Sequence, residues 1–157
     1  MNPILMNAIL SMDSYNRGYG QAINVTGSQV GNAQILKTTV NGVVVDLDSG
    51  IIRDPVTNSR LDDDISFYAI AYDYNGGTVI SYRGTDDLSL DAQYGWAANS
   101  ALNTQPQAQM AFQFYNSVAG GIDPRTANIT LTGHSLSGGL AGLVGANDNA
   151  QQARNAA

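Results

Sequence analysis

The chain has 157 residues, of which 43% are hydrophobic, enough for one compact domain with a real core. A net charge of −6 and a pI near 4.3 argue against nucleic acid, whose phosphate backbone calls for clustered lysines and arginines; the seven basic residues here are scattered. The absence of cysteine excludes disulfides, zinc thiolate sites and thiol nucleophiles.

The first residues, Met1 to Met6, lack a basic stretch, and Asn7, Ser11 and Asp13 interrupt the apolar run, which makes a poor export signal. No stretch approaches the roughly 18 apolar residues of a membrane span. The expectation is a soluble protein, cytoplasmic or exported by a signal outside this sequence. Residues 3–15 predict a helix: Pro3 suits the first turn, and Ile4, Leu5, Ala8, Ile9 and Met12 recur at three- and four-residue spacing. Arg17-Gly18-Tyr19-Gly20 ends it. Residues 21–33 read as a polar loop. Two β runs follow, 34–40 and 43–47, with the hairpin signal Asn41-Gly42 between them. Residues 48–64 are turn-rich and acidic.

The clearest sheet signal is the run 65–74, rich in aromatic and β-branched residues, then the tight turn Asn75-Gly76-Gly77 and a second strand over 78–82. Residues 89–101 predict a short helix containing Trp96. Pro106 opens a better one to Ala119, with Met110, Phe114 and Val118 four apart beside Ala111 and Tyr115. Gly120-Gly121 stops it. A β run at 128–132, a glycine-rich turn at 133–139, a small-residue helix that begins over 140–145 and a polar, Ala-rich tail at 150–157 complete the chain, with no internal repeat. A helix between two strands is the crossover of a parallel pair, so the fold class is α/β with a mixed sheet.

The chemistry lies in Thr132-Gly133-His134-Ser135-Leu136-Ser137-Gly138-Gly139. A serine hydroxyl is a poor nucleophile until it is held exposed and offered to a base. A nucleophile elbow, a strand turning sharply into a helix, does the holding. Small residues are needed two before and two after the serine, because strand and helix pass closely there. Gly133 fills the first place; Ser137 stands at the second, where the pattern has glycine. The new helix aims free N–H groups at the site, which favours a developing oxyanion.

This stretch, followed by Leu140-Ala141, resembles the elbow of the fungal-type (class 3) lipases of the α/β-hydrolase fold. Val79-Ile80-Ser81-Tyr82-Arg83-Gly84-Thr85-Asp86 is similar to the strand and loop carrying that family's oxyanion residue. The resemblance covers about 65–145. It implies a carboxylic ester hydrolase acting on lipid or small acyl esters, with no cofactor and no metal. Ser135 would be the nucleophile, and Thr85 and the backbone N–H of Leu136 the oxyanion hole. It also implies a lid or acyl-binding wall over 86–101, whose Leu88, Leu90, Tyr94 and Trp96 read equally well as core residues, and a position for His134 that points into packing. Arg83 reads as a structural charge at a strand end, paired with an acid such as Asp86.

The family's triad runs Ser, Asp, His. After Ser135 the chain holds one acid, Asp148, and no histidine. Asp148 lies about 20 Å on if the helix continues, too far to serve Ser135. His134 is a poor base, because neighbouring residues on a sharp turn do not face each other. The expectation is an incomplete, truncated domain whose acid and histidine come from elsewhere. The alternatives are one partner of a split assembly, or an inactive hydrolase-fold binding module. An uncovered edge beside the nucleophile strand would permit self-association. The acidic runs Asp46-Leu47-Asp48 and Asp62-Asp63-Asp64 lack a full calcium-loop pattern and read as solvated turns.

Overall fold

A computed structural model describes residues 2–14, 28–36, 38–40, 43–46, 51–52, 67–84, 106–120 and 128–155. In chain order the elements are α1 (Pro3–Asp13), β1 (Gln29–Val30), β2 (Ala33–Ile35), β3 (Thr38–Val40), β4 (Val43–Asp46), β5 (Ile51–Ile52), β6 (Ala69–Tyr74), β7 (Gly77–Tyr82), α2 (Pro106–Ala119), β8 (Ile129–Gly133) and α3 (Leu136–Asn155). Five strands form a mixed sheet in the order β1-β2-β6-β7-β8, and β3-β4-β5 form a second, antiparallel sheet. In the larger sheet only the β7–β8 pairing is parallel, and α2 lies in the connection between those two strands. The class is α/β.

The β6–β7 hairpin forms where the sequence predicts it. Its loop is two residues, since Tyr74 pairs with Gly77. Asn75 and Gly76 both have positive φ, 53° and 76°, the combination the right-handed twist of a two-residue hairpin requires.

Several boundaries differ from the sequence reading. The run 34–40 is split between two sheets, as β2 and β3. The predicted loop at 21–33 contains β1, which returns on β2 through Gly31 at φ 60°. The acidic turn region contains β5. The helix predicted for 3–15 stops at Asp13, where the Ser14 hydroxyl donates to the Ser11 carbonyl at 2.7 Å. The elbow helix starts at Leu136 instead of 140, and helix continues to Asn155 through what reads as a polar tail. Gly138-Gly139 suggests a turn by propensity, but here the pair sits in the first turn of that helix. The segment 89–101 lies outside the described residues.

Helix α1 is held to the sheet by a different face from the one its apolar periodicity suggests. Met6, Leu10 and Asp13 are buried, whereas Ile4, Leu5, Ile9 and Met12 are exposed. The buried face bonds one strand after another. Asn7 accepts from Thr132 on β8 at 3.3 Å and Leu10 from Ser81 on β7 at 3.1 Å, both through backbone carbonyls, while the Asp13 carboxylate accepts from the Tyr72 phenol on β6 at 2.6 Å. Three helical residues rise about 4.5 Å, close to the ~4.8 Å between strands, so α1 steps across the sheet one strand per turn. On the opposite face the Tyr82 phenol donates to the Ala111 carbonyl of α2 at 3.2 Å, and Leu131 packs beside Gly145 of α3. Helices therefore cover both faces, and the central strands are buried on both sides.

The Tyr72–Asp13 bond lies wholly inside this sandwich. Y72F is expected to cost about 1.5–3 kcal/mol, the range for a buried hydrogen bond to a charged partner. Urea denaturation checks this, and a loss under 0.5 kcal/mol would show that the bond contributes little.

Candidate active site

Strands β7 and β8 run in register to their ends, with Tyr82 opposite Gly133. The segments leaving them, Arg83-Gly84 and His134-Ser135, therefore emerge side by side at the carboxyl end of a parallel pair. In open α/β sheets that is where ligand crevices form.

Ser135 sits between β8 and α3, exposed, with φ 62°. Apart from Asn75 in its hairpin turn, it is the one non-glycine residue with positive φ among those described. For an L-residue this left-handed conformation costs about 1–2 kcal/mol. The strain follows from the turn: the chain passes from extended strand to helix within two residues, His134 and Ser135.

The residues around Ser135 make that turn possible. A Cβ on Gly133 would lie 2.6 Å from the backbone carbon and oxygen of Ser137, so only glycine fits. Ser137, the departure from the glycine pattern, is fully buried, and its hydroxyl donates to the His134 carbonyl at 2.8 Å. The serine is thus accommodated opposite Gly133 and satisfies a carbonyl that the turn would leave short of a partner. The Gly138 N–H donates to the Ser135 carbonyl at 3.0 Å and closes the first turn of α3.

Leu136 is the first residue of α3, and its side chain is buried. Its N–H has no carbonyl one turn back within the helix to donate to, which leaves the donor at the positive end of the helix dipole beside Ser135. Thr85 and residues 86–101 lie outside the described residues, as do Asp62 to Asp64.

Arg83 is buried at the end of β7, its guanidinium carbon 4.9 Å from the centroid of the Tyr68 ring. The Arg83 backbone N–H donates to the Tyr68 carbonyl at 2.9 Å. A structural role fits, and Asp86, the acid expected beside it, lies outside the described residues. The sequence carries a signal for the ring contact in the aromatic run Phe67-Tyr68, which precedes the paired strand.

His134 is exposed, which corrects the expectation that it points into packing. The sharp turn places it on the outer side, because the inner space is taken by Gly133 and Ser137. Asp148 lies well along α3, about 20 Å from Ser135 by helical rise. It hydrogen-bonds Tyr115 of α2 beside a cavity of about 150 Å³ that Phe112, Asn116, Val144 and Asn147 also line.

The Tyr115 phenol is pushed up to about 12, first by burial and then by the hydrogen bond to Asp148 and its negative charge. Because the folded phenol keeps its proton above the ordinary value of 10.0, this contribution to stability is full below pH 10 and is lost as pH rises towards 12. In D148N the Tyr115 titration, followed by its ring carbon shift in NMR, is expected to move down. An unmoved titration would leave burial as the whole cause.

Among the described residues no helix is long and apolar enough to cross a membrane. No protein-family model, curated protein or solved structure matches the chain.

Proposed function

We propose that the chain is the nucleophile-bearing part of a serine ester hydrolase with the α/β-hydrolase fold, related to the fungal-type lipases and acting on lipid or small acyl esters. The observation that carries this reading is the left-handed φ of 62° at an exposed serine between a parallel strand and a helix. Such strain persists only where surrounding structure enforces it, and it clusters at functional sites. The side-by-side exit of β7 and β8 supports the pairing of Thr85 with Ser135 that the sequence motifs suggest.

In this mechanism the Ser135 hydroxyl oxygen attacks the acyl carbonyl and gives its proton to a histidine base. The N–H groups of Leu136 and Thr85 hold the oxyanion. The tetrahedral intermediate collapses, the alcohol leaves with the proton from the histidine, and water hydrolyses the acyl-serine by the same route in reverse. In this reading the acid and histidine come from outside this chain: adjacent residues on a sharp turn do not face each other, which makes His134 a poor base, and Asp148 is engaged with Tyr115 far along α3. A second reading, a binding module that keeps the scaffold without turnover, is favoured by that remote placement of Asp148.

Fluorophosphonate labelling followed by peptide mass spectrometry separates the two. The hydrolase reading expects an adduct on Ser135, formed faster when imidazole is added in place of the histidine, and none in S135A. No adduct on Ser135 with or without imidazole would end the hydrolase reading and leave the binding module.

A further inference from the structure

Helices α2 and α3 pack together on one face of the sheet and leave a cavity of about 150 Å³ between them. Its lining repeats one spacing on each helix: Phe112, Tyr115 and Asn116 on α2, and Val144, Asn147 and Asp148 on α3. Positions three and four apart share a helix face, so each helix brings one apolar and two polar-tipped side chains to the gap. The Tyr115 phenol donates to the Asp148 carboxylate, which marks the charged end. Phe112, the Tyr115 ring and Val144 supply apolar wall, and the amide oxygens of Asn116 and Asn147 are further acceptors. Asn116 is exposed, and Asn147 and Asp148 are half-buried, so a solute reaches the cavity from water.

We propose that this cavity binds a small primary ammonium ion carrying an aromatic or short alkyl group. A carboxylate accepts at about four positions, and the phenol fills one of them. A primary ammonium brings three N–H donors to the carboxylate and the two amide oxygens, and its charge lies beside aromatic rings. Among the described residues lining the cavity, none is basic. An anion would meet the Asp148 charge in a chain of net charge −6. A divalent metal wants several carboxylates, and no group of three His, Asp or Glu placed to hold one occurs among the described residues. A neutral apolar solute would cover the carboxylate and both amides without pairing them. A cavity of this volume takes a group as large as benzene, which sets the size of the organic part. The site stands apart from the ester chemistry, because Asp148 lies about 20 Å along α3 from Ser135.

Benzylammonium titrated into the full chain is expected to bind in the millimolar range or tighter and to shift the NMR signals of residues 112–116 and 144–148. Benzyl alcohol keeps the ring and loses the charge, and is expected to bind at least about tenfold more weakly, as is benzylammonium to D148N. N116K is expected to lose the site too, because the introduced ammonium reaches the carboxylate from an exposed position on the facing helix. That variant decides the matter should D148N fail to fold, as circular dichroism would reveal. S135A is expected to bind benzylammonium as the parent chain does, whatever the outcome of fluorophosphonate labelling. No shift at these residues overturns the proposal. So does equal binding of benzyl alcohol, or undiminished binding by N116K or a folded D148N.

Discussion

Replacing Gly133 by alanine is expected to destabilise the protein by about 3 kcal/mol, the upper part of the usual range for overpacking. The same replacement at Gly142 is expected to stabilise it by up to about 1 kcal/mol. The new methyl group at Gly133 would meet the backbone of Ser137 at 2.6 Å, and backbone at a strand–helix junction cannot rotate aside as a side chain can. Relief requires β8 and α3 to part, which moves Ser135. At Gly142, exposed on α3, a Cβ meets nothing within 4 Å, so only the gain in helix propensity remains. Urea denaturation of both variants gives the comparison, provided the m-values stay equal. Equal stabilities would mean that the close approach at the elbow is absent. The labelling experiment adds a second readout, since G133A should also lose the Ser135 adduct.

At Ser135 itself, stability and reactivity should move in opposite directions. S135G is expected to be about 1 kcal/mol more stable than the parent chain, because glycine adopts the left-handed conformation without the Cβ clash. S135A keeps a Cβ at φ 62° and is expected to lie within about 0.5 kcal/mol of the parent, the usual range for a surface change. Both lose the fluorophosphonate adduct. A glycine variant no more stable than the alanine variant would show that Ser135 is not held in the left-handed region, and would remove the observation on which the hydrolase reading rests.

The parts of this protein legible in its sequence are those set by short-range chemistry. The β6–β7 hairpin follows from Asn75-Gly76 between two runs of β-formers, and α2 begins at Pro106 and ends at Ala119 as its spacing implies. The strand before Ser135 and the small residue at 133 were readable for the same reason, since a sharp turn dictates residue size locally. Less legible was anything decided by competition between distant segments. Spacing proposed an apolar stripe on α1, but the sheet took the face carrying Met6, Leu10 and Asp13. That face alone meets hydroxyl donors from three neighbouring strands.

Read along the chain, a serine stands two residues after a glycine at the exit of a β run, with the chain's one histidine between them. That this serine is strained emerges from the packed fold. Its φ is enforced because pairing with β7 fixes β8 and packing on the sheet fixes α3, so the turn between them must close within two residues. The same holds for Ser137, a departure from pattern in the sequence. In the fold it is a buried residue whose hydroxyl bonds the His134 carbonyl. Asp148, legible only as a remote acid, acquires a partner because α2 and α3 pack on one face of the sheet and bring Tyr115 to it. Residue size and turn chemistry act over a few bonds and can be read in order along the chain. Strain, burial and pairing arise where segments far apart in sequence compete for the same space.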